Sequence, residues 1–152
     1  MKIGIGNDHA AIELKQELQL FLEEKGHEVR NYGADEKSQL SYPNYGEMLA
    51  HAVVNDEVEC AIALCGTGIG ISIAANKVRG IRAAVCSEPC SARLTKEHNN
   101  ANILALGARI VGTEMAKMIV EEWLDAEFQG GRHQDRIDMI TQIENANDGN
   151  KE

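Results

Sequence analysis

The chain has 152 residues, 43% of them hydrophobic, 26% charged and only 4% aromatic, a composition that fits one globular domain and excludes a disordered chain. With 15 Lys and Arg against 24 Asp and Glu, the formal charge is −9, which argues against a general nucleic-acid or anionic-membrane surface but leaves room for a local anion site. No apolar run reaches the roughly 18 residues needed to span a bilayer, and Met1 leads straight into a strand-like pattern without a signal-peptide core, so a cytoplasmic protein is expected.

Lys2 to Gly6 forms the first strand candidate, and after Asn7-Asp8-His9 the residues Leu14, Leu18, Phe21 and Leu22 fall on one helical face that Gly26 closes. Glu28 to Tyr32 supplies a second strand, and a helix carrying Met48, Leu49, Ala52 and Val53 follows Tyr42-Pro43. Cys60 to Leu64 is a continuous apolar run of the kind a parallel strand buried on both faces shows. The loop from Cys65 to Gly70 opens a helix through Ala75, Arg82 to Val85 is strand four, and Pro89 starts a helix ending near His98-Asn99. Ile103 to Leu106 is strand five, Thr113 to Phe128 a long amphipathic helix, and Arg132 to Ile143 resumes helical spacing after Gly130-Gly131.

Strands alternating with helices predict an α/β fold with a doubly wound, Rossmann-like five-stranded parallel sheet. Of the two common strand orders, 2-1-3-4-5 suits five strands better and places the topological switch between strands one and three. That switch nominates two loops for a ligand site, Asn7-Asp8-His9 and Cys65 to Gly70. Residues 1–144 are expected to form one domain, and the polar residues 145–152 a frayed tail.

Cys65-Gly66-Thr67-Gly68-Ile69-Gly70-Ile71-Ser72 places three glycines at a strand-to-helix junction, where backbone N–H groups favour negative charge. It is not a dinucleotide fingerprint, because G-x-G-x-x-G would put its third glycine where Ile71 stands, and no G-x-x-x-x-G-K-[ST] loop occurs. The same spacing also suits a tight turn that only lets helix pack on strand. Cys65 ends its strand where a thiolate is stabilised, or is a small buried hydrophobe. Cys60, Cys86 and Cys90 lack even that support, and all four thiols read as reduced, with no zinc spacing among them.

Asp8 reads equally as a helix cap or as a catalytic group, and His9 as a first-turn surface residue or a ligand contact. His98-Asn99 suits a helix terminus, while His98 is also titratable near neutral pH. Arg132 and Arg136, four apart, converge on one anion or pair with acidic neighbours on a solvated face.

Taken together and in order, Gly6-Asn7-Asp8-His9, Ser41-Tyr42-Pro43-Asn44-Tyr45, Cys65 through Lys77, Gly80-Ile81-Arg82-Ala83, His98-Asn99, Leu106-Gly107-Ala108-Arg109 and Gly130-Gly131-Arg132-His133 carry a close resemblance. Over nearly its whole length the chain resembles the type B ribose-5-phosphate isomerases, in the wider family that includes the galactose-6-phosphate isomerase subunits. The resemblance implies a metal-independent aldose–ketose isomerase without cofactor, acting on a small phosphorylated sugar through an enediolate. It assigns Cys65 as the proton-abstracting base, in the thiol-using branch, and His98 as the acid that opens the furanose ring, with Asp8 and Thr67 near the ring oxygens. Tyr42 matches a residue lining the sugar site, Gly66, Thr67, Gly68, Ile69 and Gly70 match an anion hole, and His9, Asn99, Arg109, Arg132 and Arg136 match sugar- and phosphate-binding positions. It also implies a homodimer, in some relatives a tetramer, with a C-terminal helix extending to the partner and with His98, Asn99 and Arg109 completing the neighbour's site. Ser41 departs from the family, whose members often carry an acidic residue there. Two other readings stay open: an isomerase of six-carbon phosphosugars such as allose or galactose 6-phosphate, and a phosphosugar- or nucleotide-binding module without turnover.

Overall fold

The computed structural model describes residues 1–148. Five strands form one parallel sheet: β1 (Lys2–Asn7), β2 (Glu28–Asn31), β3 (Cys60–Cys65), β4 (Ala83–Val85) and β5 (Ile103–Gly107). The helices are α1 (Ile12–Glu24), entered through a 3₁₀ turn at His9–Ala11, α2 (Tyr42–Val54), α3 (Ile69–Ala75), α4 (Pro89–Asn99), α5 (Thr113–Asp125) and α6 (Arg132–Asp148). None of them is long and apolar enough to cross a membrane among the described residues.

Because strand side chains alternate, the sheet feeds two separate cores. Ile3, Ile5, Ile62, Leu64, Leu104 and Leu106 face α1, α4 and α5, meeting Leu14, Leu18, Leu22, Ala92, Ile119 and Trp123. Each fully buried Ile or Leu there contributes about 1.5–3 kcal/mol of transfer free energy. The opposite face is built of small residues, with Gly4, Gly6, Ala61, Ala63 and Ala105 under α2 and α3. The approach is close: a Cβ on Gly6 would lie 2.8 Å from Leu49 Cδ1.

The strand order is β2-β1-β3-β5-β4, so the expected 2-1-3-4-5 is corrected by exchange of the last two strands. β5 is buried at every residue and belongs inside the sheet. β4 has three residues, none of them fully buried, as suits an edge. The helices agree. α1 and α4 follow steps in one direction across the sheet and lie on one face, while α2 and α3 follow steps in the other direction and lie on the opposite face, so all four crossovers share one hand.

At the C-terminal end, α6 continues through Asp148, which corrects the frayed tail expected from residue 145 as far as the described residues reach. Tertiary contacts hold the added turn: Glu144 accepts the Gly80 N–H at 3.1 Å, and Arg79 binds both Asn145 and Asp148. Residues 149–152 of that expectation lie outside the described residues. Of the whole helix only His133 and Ile137 are buried, and Met139, Ile140 and Ile143 are at least half exposed.

Candidate active site

The chain leaves β1 toward the α1 face and leaves β3 toward the α3 face, which opens a crevice beyond the carboxyl ends of these neighbouring strands. Asp8 N–H donates to Leu64 O at 3.3 Å, carrying the ladder one residue past β1. From the other side, Ala108 N–H donates to Cys65 O and Arg109 N–H to Gly66 O, both at 2.9 Å, and this lays the β5 loop along the glycine-rich loop. The glycines are required there. A Cβ on Gly107 would lie 2.5 Å from Thr67 O, and Gly68, at φ +77°, would bring one to 2.7 Å from the Leu106 carbonyl carbon.

A cleft of about 380 Å³ results, lined by Asp8, His9, Ala10, Tyr42, Cys65, Gly66, Thr67, Ile69, Gly70 and Arg109. Only Ala10 falls outside the residues marked by the sequence. Cys65 is 4% exposed, and its Sγ accepts the Gly68 N–H at 3.1 Å, which fixes the sulfur at the cleft. Thr67 Oγ1 accepts the Ile69 N–H at 3.2 Å and shapes the loop from within. Tyr42, exposed at the start of α2, lies directly over Gly70, and Asn44 Oδ1 secures that helix start by accepting the Ser41 N–H at 3.0 Å. Cys60 and Cys86 lie outside the cleft, and burial pushes both thiols up to about 11.

Asp8 satisfies both of its readings. One carboxylate oxygen accepts the Ala10 N–H at 3.0 Å and caps the 3₁₀ turn, while the residue also lines the cleft. What holds it is a buried polar network the sequence does not announce. Asn7 Nδ2 donates to Asp8 O at 2.8 Å and to Ala34 O at 2.9 Å. Lys15, 1% exposed, donates to the same Ala34 carbonyl at 2.8 Å and pairs with Asp35. Asn7 and Lys15 lie 27 and 19 residues from Ala34, so only tertiary folding joins them to it. The ammonium of Lys15, then the amide of Asn31, holds the Asp35 carboxyl below the usual carboxylate range.

His98, Asn99, Arg132 and Arg136 do not line this cleft. α4 starts beyond the carboxyl end of β4 and runs back to the amino ends of the strands, where Arg82 Nε donates to Asn99 O at 2.9 Å and Ala61 N–H to Asn102 O at 3.1 Å. There His98 stacks on His133 of α6, with centroids 4.3 Å apart and planes 8° from parallel. Burial, then the charge of His98, Arg132 and Arg136, lowers the proton affinity of His133. Arg132 and Arg136 are exposed beside it. Within this chain the Arg109 loop is tied to Gly66, and Arg109 lines the cleft, apart from the His98 cluster. Of the groups expected to gather at one phosphate, His9 and Arg109 share the cleft, and Arg132 and Arg136 sit elsewhere in the same chain.

Among the described residues, no three His, Cys, Asp or Glu side chains are grouped as a metal ion would require. The cleft instead offers a thiol, a carboxylate, hydroxyls and a cationic rim around a glycine-rich backbone.

Residues 3–140 match the family described as Ribose/Galactose Isomerase. The chain is 52% identical over 143 residues to ribose-5-phosphate isomerase B of Escherichia coli (strain K12), covering 94% of this chain and 96% of that protein. It is 45% identical over 141 residues to D-erythrulose-4-phosphate isomerase of Pectobacterium atrosepticum, with 92% and 93% covered. Among solved structures, ribose-5-phosphate isomerase B of Clostridium thermocellum superposes with a TM-score of 0.94 at 53% identity, covering 96% of this chain and 99% of the other. With fold and sequence in agreement over more than nine-tenths of its length, the chain belongs to the ribose/galactose isomerase family.

Proposed function

We propose that this chain interconverts D-ribose 5-phosphate and D-ribulose 5-phosphate, with Cys65 as the base. The observation that carries the reading is the position of Cys65, a thiol held by the Gly68 N–H at the switch-point cleft with Arg109, Thr67 and Asp8 around it. Identity above one half to relatives named for this reaction supports the choice of sugar.

The reaction moves one proton between C2 and C1. The thiolate of Cys65 takes the C2 proton of the open-chain aldose, and the electron pair shifts to form the enediolate with charge on O1. The thiol returns the proton to C1 while the O2 hydroxyl proton passes to O1, leaving the C2 carbonyl of the ketose. One base within reach of both carbons suffices. Negative charge develops on the substrate oxygen as the proton leaves. Backbone N–H groups of the Gly66–Gly70 loop are rigidly preset beside it, and in comparable sites each such donor contributes about 2.7–4 kcal/mol to the barrier reduction. Asp8 and Thr67 serve the ring oxygens, and His9 with Arg109 binds the phosphate by charge-assisted hydrogen bonds.

Ring opening needs a further acid. His98 is the candidate, and Asn99, Arg132 and Arg136 complete the sugar and phosphate contacts from the cluster at the opposite end of the sheet. Within one chain that cluster cannot serve the cleft, so a second copy supplies it, through the exposed Met139, Ile140 and Ile143 face of α6. The enzyme is thus a homodimer with sites shared between its subunits.

The test is turnover by the purified protein on a panel of four-, five- and six-carbon phosphosugars, with Cys65→Ser beside it. The reading expects five-carbon preference and loss of at least about 100-fold in the variant, the scale of a general base. Near-full activity of Cys65→Ser, or a preference for another chain length, overturns it.

A further inference from the structure

The Gly130-Gly131-Arg132-His133 segment holds a residue that the proposed chemistry does not use. His133 is one of only two buried residues of α6, at 6% exposure. Its placement is built by the backbone. Gly130 and Gly131 take successive left-handed conformations, at φ +64° and +56°, and turn the chain so that the His133 N–H reaches Gly130 O at 3.0 Å. Just before them, Gln129 N–H donates to Glu97 O at 3.0 Å and fastens the turn to the last turn of α4. The outcome is the near-parallel stack of His133 under His98. His98 is only partly buried, with one face of its ring resting on His133.

We infer that His133 is a positioning residue for His98, holding the imidazole of the ring-opening acid in one plane and leaving the transferable proton to it. This rests on the reading of His98 as that acid. Two stacked imidazoles at 4.3 Å would repel strongly if both were protonated, and the charged groups facing the pair, Arg132 and Arg136, add to that cost. Burial, with the neighbouring charges, lowers the proton affinity of His133, and the stacked ring serves as an aromatic floor under His98. A floor of this kind removes the rotational freedom that general acid catalysis would otherwise have to restrict on every turnover.

The test separates ring opening from proton transfer. Ribulose 5-phosphate is open-chain, so exchange of its C1 proton with D2O needs Cys65 but no ring opening, whereas turnover of ribose 5-phosphate starts from the furanose. Both rates are measured for the wild type, His133→Phe, His133→Leu and His98→Ala, with thermal unfolding of each. Leu fills the space without a π face, and Phe keeps the face without titrating. His133→Leu is expected to exchange at close to the wild-type rate while ribose 5-phosphate turnover falls about tenfold or more, and His133→Phe to recover most of that loss.

The inference is overturned if His133→Leu lowers both rates in parallel, if it lowers neither, or if Phe is no better than Leu. His98→Ala makes the two failures distinguishable. If it leaves the ratio of the rates at the wild-type value, the ring-opening role of His98 is wrong and the inference falls with it. If it shifts the ratio and His133→Leu does not, His98 stands and only the role of His133 is lost.

Discussion

Gly70 lies so close beneath Tyr42 that a Cβ at position 70 would fall 2.6 Å from Cε2 of the ring. Tyr42 is 42% exposed and able to swing outward, so Gly70→Ala is expected to cost little stability but to push the ring out of its place over the cleft. The expected result is a several-fold rise in KM with a melting temperature near wild type. Gly68→Ala provides the contrast. There the left-handed backbone costs about 1–2 kcal/mol, and the Cβ meets main chain that cannot step aside, so the melting temperature drops by several degrees. Equal melting temperatures for the two variants would refute this account.

Separation of Cys65 and His98 within one chain makes a mixing experiment informative. Cys65→Ala and His98→Ala are each expected to be nearly inactive alone. If sites are shared across a two-fold dimer, refolding them together at equal concentration creates hybrids in which one site has both groups intact, restoring about a quarter of wild-type activity. A mixture no more active than its components would mean that each chain's site is self-contained.

For Lys15 and Asp35 the expected asymmetry is in stability. Lys15 is buried while the Asp35 side chain is largely exposed. Asp35→Asn leaves a buried ammonium without its counter-charge and is expected to cost about 1–3 kcal/mol at pH 7. Lys15→Met removes the cation along with its desolvation cost and is expected to be milder, below about 1 kcal/mol. The Asp35 carboxyl titrates below its unfolded value of about 3.9, so its contribution is present above that pH and is lost as pH falls through the lower folded value. Urea unfolding should therefore show the penalty of Asp35→Asn shrinking below about pH 4. A greater loss for Lys15→Met would contradict this.

At the alkaline end, Cys60 and Cys86 govern. Burial raises both thiols to about 11 in the folded chain, against about 8.5 unfolded. Their contribution is complete below the unfolded value and is lost as pH climbs through the folded one. Stability is expected to decline from about pH 8.5 upward, with a shallower slope in Cys60→Ala even though that variant starts lower. Alkylation at pH 8 should reach exposed Cys90 well before either buried thiol. An unchanged slope would show that other groups set the limb.

How much of this could be read in the sequence depended on the range of the interaction concerned. The elements and the switch-point loops follow from local periodicity and glycine placement, and Asp8, Tyr42, Cys65 and Thr67 converge as expected. Strand order failed because Ala83–Val85 and Ile103–Gly107 both read as apolar runs, and what ranks them is burial on two faces. The tether of Arg109 to Gly66 was not legible because it joins residues 43 apart. Lys15 passed unnoticed, and Asn7 and His133 stood in marked motifs without a role of their own, for a related reason: a polar residue gives no sign of being buried until the distant carbonyl, carboxylate or ring it meets is in place.

The small-residue face of the sheet bears on inheritance as well as packing. Cys65 continues the row begun by Ala61 and Ala63, so its sulfur stands at the end of a layer of small residues. A mutation that enlarges Gly6, Ala61 or Ala63 acts as a wedge, lifting α2 and α3 and with them the Gly68 N–H that locates the thiol. Across the sheet, truncation of Ile62 or Leu104 leaves a hole instead, costing stability but sparing the alignment. The two faces therefore accept opposite kinds of change, and drift toward larger residues beneath α2 and α3 would silence the enzyme while it remained folded.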